Sequence, residues 1–212
     1  MNSHALGNLQ SLHLAQVIEN LDPDNRGRIK VRLQASPMEV WASVVAPSAG
    51  QGYGASFIPR LDEIVVLAFI TQDLPLILGS IWVGGNSVPE DADPQQDHYV
   101  IRTPSGSVLE FDDADGPKVE MRTRSGYRIS INESDSEIKV ELGTQSVTLS
   151  SGEISVRSSG PVNIDAATVN VSAGMVQVDA GMSRFSGVVQ ADTIIATSVV
   201  GTTYTPGAGN IW

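Results

Sequence analysis

The sequence has 212 residues, 24 acidic against 13 basic side chains for a formal charge of −11, and 41% apolar content. That is long enough for one or two domains and apolar enough for a core, while a mean hydropathy of zero and 17% charged residues argue against wholesale disorder. A sequence without cysteine excludes a disulfide framework, a thiolate metal cluster and a cysteine nucleophile, and scattered basic residues with 5% aromatics weigh against nucleic acid as a partner.

The amino terminus, MNSHALGNLQSLHLAQ, has no basic region followed by an apolar run, and no stretch approaches the ~20 apolar residues of a membrane span. A soluble product is expected. Five strands follow: Leu12 to Asn20, Arg28 to Gln34, Val40 to Ala46, Glu63 to Ile70 and Leu76 to Val83, each bounded by Gly, Pro, Asn or Asp. Between the first two, LDPDNRG (Leu21 to Gly27) combines a preset φ, local side-chain acceptors and a tolerated positive φ, the chemistry of a hairpin loop. No helical periodicity appears, so the front is all-β. Five short strands in roughly 80 residues suit a small Greek-key barrel of the OB type, with a small sandwich left open.

Composition changes at GGNSVPEDADPQQD (Gly84 to Asp97), which reads as a linker or elbow. Behind it apolar pairs recur: Ile129/Ile131, Ile138/Val140, Val147/Leu149, Ile154/Val156, Val162/Ile164, Val169/Val171 and Val176/Val178. Their first members lie 9, 9, 7, 8, 7 and 7 positions apart, and the residue inside each pair is polar: Ser130, Lys139, Thr148, Ser155, Asn163, Asn170 and Gln177. Strict alternation means one face inward and one outward. A short strand that buries two side chains cannot stand alone, so the series must stack on copies of itself. A single-chain solenoid would need a fixed coil length and a ladder of small residues, neither of which is present. Three chains wound round one axis suit the drifting spacing better, each strand pairing with strands of the other two copies. With about ten strands each advancing ~4.8 Å, the result is a rod on the order of 50 Å long. The expected divisions are an OB-like domain over 1–88, a linker over 89–99, an intertwined triple-stranded β-helix over 100–200 and a tip segment over 201–212.

Particular segments resemble a known family. NRGRIKVRL (Asn25 to Leu33), VWASVVAPSAGQGYGASFIPRLDEIVVLAF (Val40 to Phe69) and DLPLILGSIW (Asp73 to Trp82) resemble the OB domain of the central spike of contractile injection machines. TPSGSVLEFDDADG (Thr103 to Gly116) and TRSGYRISI (Thr123 to Ile131) resemble the paired strands that open that family's spike helix. The family includes phage baseplate assembly protein V, the spikes of contractile bacteriocins and the spike half of VgrG-type proteins. The resemblance implies a homotrimer without catalytic residues or cofactor, made in the cytoplasm and built into a tail baseplate or injection particle. It would be seated under the tail tube through a baseplate hub protein and driven through the target cell envelope when the sheath contracts; nucleic acid is not among the implied partners.

Two departures from the family pattern stand out. A glycine that commonly precedes the acidic pair of the fourth strand is missing around Leu61 and Asp62, which bears on that turn. Many members also end in a His-x-His pair that holds an apical metal, whereas the histidines here are His4, His13 and His98. The apical metal is therefore not expected. Two closures of the apex stay open: packing of Tyr204, Ile211 and Trp212, or a separate PAAR-like tip protein, the latter favoured because the strand series runs almost to the carboxyl terminus. The candidate tip contacts are Tyr204, Pro206, Gly207, Asn210, Ile211 and Trp212.

Other chemistry-bearing residues have plainer explanations. Asp112, Asp113, Asp115 and Gly116 suggest a calcium loop but lack the glutamate at the closing position, so a solvated hairpin turn is expected. Glu110, Glu120 and Glu133 suggest paired carboxylates, but strand alternation already accounts for polar residues there. Trp41 and Trp82 lie in strand patterns and are expected to pack the barrel, and Trp212 to pack or to meet a protein partner.

Overall fold

The computed structural model describes residues 12–71, 73–85, 87–89, 92, 96–114 and 116–203, and among these there is no α-helix. The front strands are β1 (His13–Glu19), β2 (Arg28–Leu33), β3 (Glu39–Val44), a small hairpin β4 (Ala49–Gly50) and β5 (Tyr53–Gly54), then β6 (Ile64–Thr71) and β7 (Leu74–Ile81). They close a barrel in the order β1-β2-β3-β7-β6, with β3 parallel to β7 and the other neighbours antiparallel. Closure with one parallel pair is the OB arrangement, which decides against the sandwich.

The barrel closes because every second residue of each strand is apolar and points inward. Ala15 and Val17, Ile29 and Val31, Ala42, Val65 and Leu67, and Ile77 are fully buried, with Leu33 nearly so and Val40, Val44 and Phe69 packed against them. Each large member contributes ~1.5–3 kcal/mol of transfer free energy.

The β1–β2 loop is organised by one carboxylate. Asp22 accepts the backbone N–H groups of Asp24, Arg26 and Arg28 at 3.0, 3.0 and 3.2 Å, and the Arg28 guanidinium at 2.8 and 2.9 Å. The Arg28 hydrogen bonds hold the Asp22 carboxyl far below the usual carboxylate range. Asn25 and Gly27 take the positive φ values of 56° and 70° that the loop requires. At the other departure from the family pattern, Asp62 itself adopts φ 71°, where glycine is commonest. Its N–H donates to the Val17 carbonyl at 2.9 Å and its Oδ1 accepts from the Gln16 amide at 3.0 Å, so a short polar side chain holds the turn without glycine.

The two tryptophans correct the sequence expectation. Trp41 is only half-buried, because Val40, Ala42 and Val44 take the inward positions of β3; its ring lies outside, 5.7 Å from the Arg28 guanidinium. Trp82 follows the last residue of β7 and is 69% exposed.

A second sheet of seven strands follows: β8 (His98–Arg102), β9 (Val108–Asp112), β10 (Lys118–Arg122), β11 (Arg128–Asn132), β12 (Glu137–Leu142), β13 (Gln145–Ser150) and β14 (Ile154–Arg157). It is an antiparallel meander in which each strand pairs with its sequence neighbours in the same chain. Within one chain these strands pair with their sequence neighbours, where the sequence expectation has each strand pairing with strands of the other two copies. The corners explain it. In both TPSGS (Thr103 to Ser107) and TRSGY (Thr123 to Tyr127), the threonine N–H donates to the carbonyl four residues on. Its hydroxyl accepts that residue's N–H, and Gly106 or Gly126 supplies the positive φ. Such corners return the chain on itself as hairpins.

The chain divides into two units at Val162/Asn163. Within the second unit, residues 163–203 contain no strand and are exposed throughout. The pairs Val169/Val171 and Val176/Val178, expected as strands, form none within one chain.

Candidate assembly surface

The register of the seven-stranded sheet fixes what each face carries. Pairings Tyr99↔Phe111, Ile101↔Leu109, Leu109↔Met121, Val119↔Ile131, Ile129↔Val140, Ile138↔Leu149 and Val147↔Val156 line apolar residues across all seven strands on one face. In a soluble antiparallel sheet one such face ordinarily packs on a core. Here no described residue covers it: on β11 to β14 the paired residues run from 38% exposed at Val147 to 75% at Ile154. The apolar ladder continues past the sheet, with Val162, Ile164, Val169, Val171, Val176 and Val178 all at least 60% exposed. An apolar face of this extent on the sheet marks an interaction site.

The sequence reading finds the ladder from Ile129 onward and misses its first three rungs, Tyr99/Ile101, Leu109/Phe111 and Val119/Met121. Their ten-residue spacing is the available signal, but aromatic residues, Leu and Met replace the β-branched pairs, and Val100 breaks the rule of a polar residue between.

The opposite face is ionic. Glu110 and Glu120 stand opposite each other, and Arg122 Nη1 bridges them at 2.7 and 3.0 Å. Glu120 is also met by Lys118 at 3.2 Å and by Arg128, which reaches on toward Glu141. Burial by itself would raise the Glu120 pKa, but the hydrogen bonds from Arg122, Lys118 and Arg128 outweigh it and hold the carboxyl below its ordinary value. Glu133 lies in the β11–β12 turn, so of the three glutamates only Glu110 and Glu120 stand together, held by Arg122.

Ala114 N–H donates to Asp112 Oδ1 at 3.0 Å, a turn contact at the β9–β10 corner that agrees with the hairpin expectation; Asp115 lies outside the described residues. So do Tyr204, Pro206, Gly207, Asn210, Ile211 and Trp212. Described residue 98 is a histidine on the ionic face, where Asp112 lies opposite in register and Glu110 diagonal to it. No described helix is long and apolar enough to cross a membrane.

Residues 13–82, which contain the whole barrel, match the family of the Type VI secretion system/phage-baseplate injector OB domain. No curated protein matches the chain. The match covers about a third of the sequence and supports a structural role related to a baseplate; the ladder behind it lies beyond the matched residues.

Proposed function

We propose that this chain is the central spike of a contractile injection machine, a homotrimer whose OB barrels seat under the tail tube through a hub protein. The rear halves wind into a rigid rod that the contracting sheath drives through the target envelope. The observation that supports this is the apolar ladder on β8 to β14 and residues 162–178, open to solvent in one chain and carried behind a barrel of baseplate-injector type. Three copies placing these faces toward one axis bury the ladder and leave the ionic and Ser/Thr-rich faces outside. Interchain strands would give residues 163–203 the partners their own chain lacks, and a closed assembly removes the free edges of β8 and β14. Axial load is then spread over many backbone hydrogen bonds, and no chemical turnover is needed. A tip protein at the carboxyl-terminal end completes the point.

Sedimentation equilibrium of the purified full-length protein tests the assembly. The expected mass is three times the 22.4 kDa of one chain, independent of loading concentration across the micromolar range. A stable monomer overturns the proposal. For piercing, particles rebuilt with a spike truncated after residue 97 are expected to contract without delivering their contents; unchanged delivery contradicts the mechanical role.

A further inference from the structure

A cluster on the ionic face, at the start of the seven-stranded sheet, is not absorbed by the trimer. The antiparallel register sets His98 of β8 opposite Asp112 of β9, and Glu110 lies two residues back on the same face. Cross-strand and diagonal neighbours of this kind are within side-chain reach. His98 Nδ1 lies 3.4 Å from Glu110 Oε1 and His98 Nε2 lies 3.2 Å from Asp112 Oδ1. One ligand atom from each of the three residues falls within 4.8 Å of the others.

The chemistry of this arrangement asks for a cation. A carboxylate oxygen stands against each ring nitrogen, so two carboxylates converge on one imidazole and gather negative charge that a bound cation would offset. Glu110 is buried and its other oxygen, Oε2, is held by Arg122 at 2.7 Å, which keeps the carboxylate oriented with Oε1 on the His98 side. Asp112 is fixed by the Ala114 N–H at 3.0 Å, which meets the same Oδ1 that faces His98. Both carboxylates are thus positioned by outer-shell hydrogen bonds, the usual support of a metal ligand. His98 and Asp112 are half-buried, so water can reach the site and complete a coordination shell.

We propose that His98, Glu110 and Asp112 form a binding site for a first-row divalent transition-metal ion of the zinc class. One imidazole nitrogen with two carboxylate oxygens is a borderline donor set that suits such ions, whereas calcium and magnesium favour oxygen alone. A small turn of the imidazole brings one nitrogen between the two carboxylates, and bonds of ~2.0–2.2 Å then span the cluster. The ion staples β8 to β9. Because β8 is an edge strand of this sheet, the staple pins the strand with the fewest neighbours, directly after the segment that leads out of the barrel. The site is far in sequence from the tip segment and does not depend on the spike assignment.

The test is calorimetric titration of chelator-treated full-length protein with Zn2+, alongside His98→Ala, Asp112→Asn and, as a control, His13→Ala in the barrel. The expected result is one Zn2+ per chain for the native protein and for His13→Ala. His98→Ala is expected to lose more affinity than the ~10–100-fold typical of removing an outer-shell partner, and Asp112→Asn a smaller amount. In a second readout, Co2+ is expected to give a visible absorption band that His98→Ala abolishes. Equal Zn2+ stoichiometry and affinity in native and His98→Ala protein overturns the site. So does the absence of saturable binding in the native protein, which assigns the cluster to an imidazolium ion pair instead.

Discussion

The barrel and the sheet behind it use the same pattern, apolar residues alternating with polar ones, and end in opposite states. In the barrel the alternation closes on itself: Val17, Ile29, Val31, Val65, Leu67 and Ile77 are fully buried within a single chain. In the sheet the same alternation gathers Ile129, Ile138, Val140 and Val147 onto a face that no described residue covers. A period-2 pattern states that a face must be covered; topology decides whether the chain can cover it. Five strands curl into a cylinder, whereas a seven-stranded meander stays open, and residues 163–203 find no strand partner at all.

The sharpest way to break the comparison is to place a charge on each face of the sheet. Ile138→Asp on the apolar face is expected to abolish assembly, because each of three copies would bury an unpaired carboxylate at several kcal/mol. Thr148→Asp on the opposite face is expected to leave it intact, and size-exclusion chromatography with light scattering distinguishes the two. In the barrel, Leu67→Ala is expected to cost about 2–5 kcal/mol of the barrel's unfolding free energy in denaturant while leaving the rear half associated.

Acid should act on both regions through their paired carboxylates. Asp22, Glu39 and Glu120 are all held below their ordinary values of 3.8 for Asp22 and 4.5 for the two glutamates, by hydrogen bonds from Arg28, from Arg32 and Lys30, and from Arg122, Lys118 and Arg128. Depressed carboxyl pKa values stabilise the fold above the unfolded-state values, and that contribution falls away as pH drops through the folded-state ones. Melting temperature is therefore expected to be flat from pH 7 to about 5 and to fall below about 4, with Asp22→Asn lowering the neutral-pH value and flattening the acid limb. Thermal scans across this range check it. The smallest effect is expected at the β1–β6 corner. Asp62→Ala should cost about 1 kcal/mol through the left-handed backbone and the lost Gln16 contact, while Asp62→Gly should stay within about half of that. Urea midpoints of the two variants make the comparison.

The five barrel strands are legible in the sequence to within two residues at each end, because Asp22-Pro23, Asn25, Gly27 and similar punctuation mark where each strand must stop. Behind the linker the sequence shows the hairpin turn at Asp112 to Gly116 but not that β8 to β14 continue as one meander. Alternation tells which side chains share a face but not which chain supplies the neighbouring strand, and that choice rests on the Thr103 and Thr123 corners. Trp82 was misplaced for a related reason: a strand pattern continues through it, yet β7 ends at Ile81 and the indole turns outward. The His98, Glu110 and Asp112 cluster is invisible along the sequence because its members are 12 and 14 residues apart, and only the β8–β9 register brings them together.

Amide hydrogen exchange across residues 162–178 of the full-length protein is the most direct measurement of whether the rear half completes its fold with other copies. These residues form no strand within one chain, so every ladder hydrogen bond they hold must come from outside it. Interchain pairing predicts protection there comparable to that of β12 and β13. Exchange complete within the first seconds, while β12 and β13 stay protected, would contradict it.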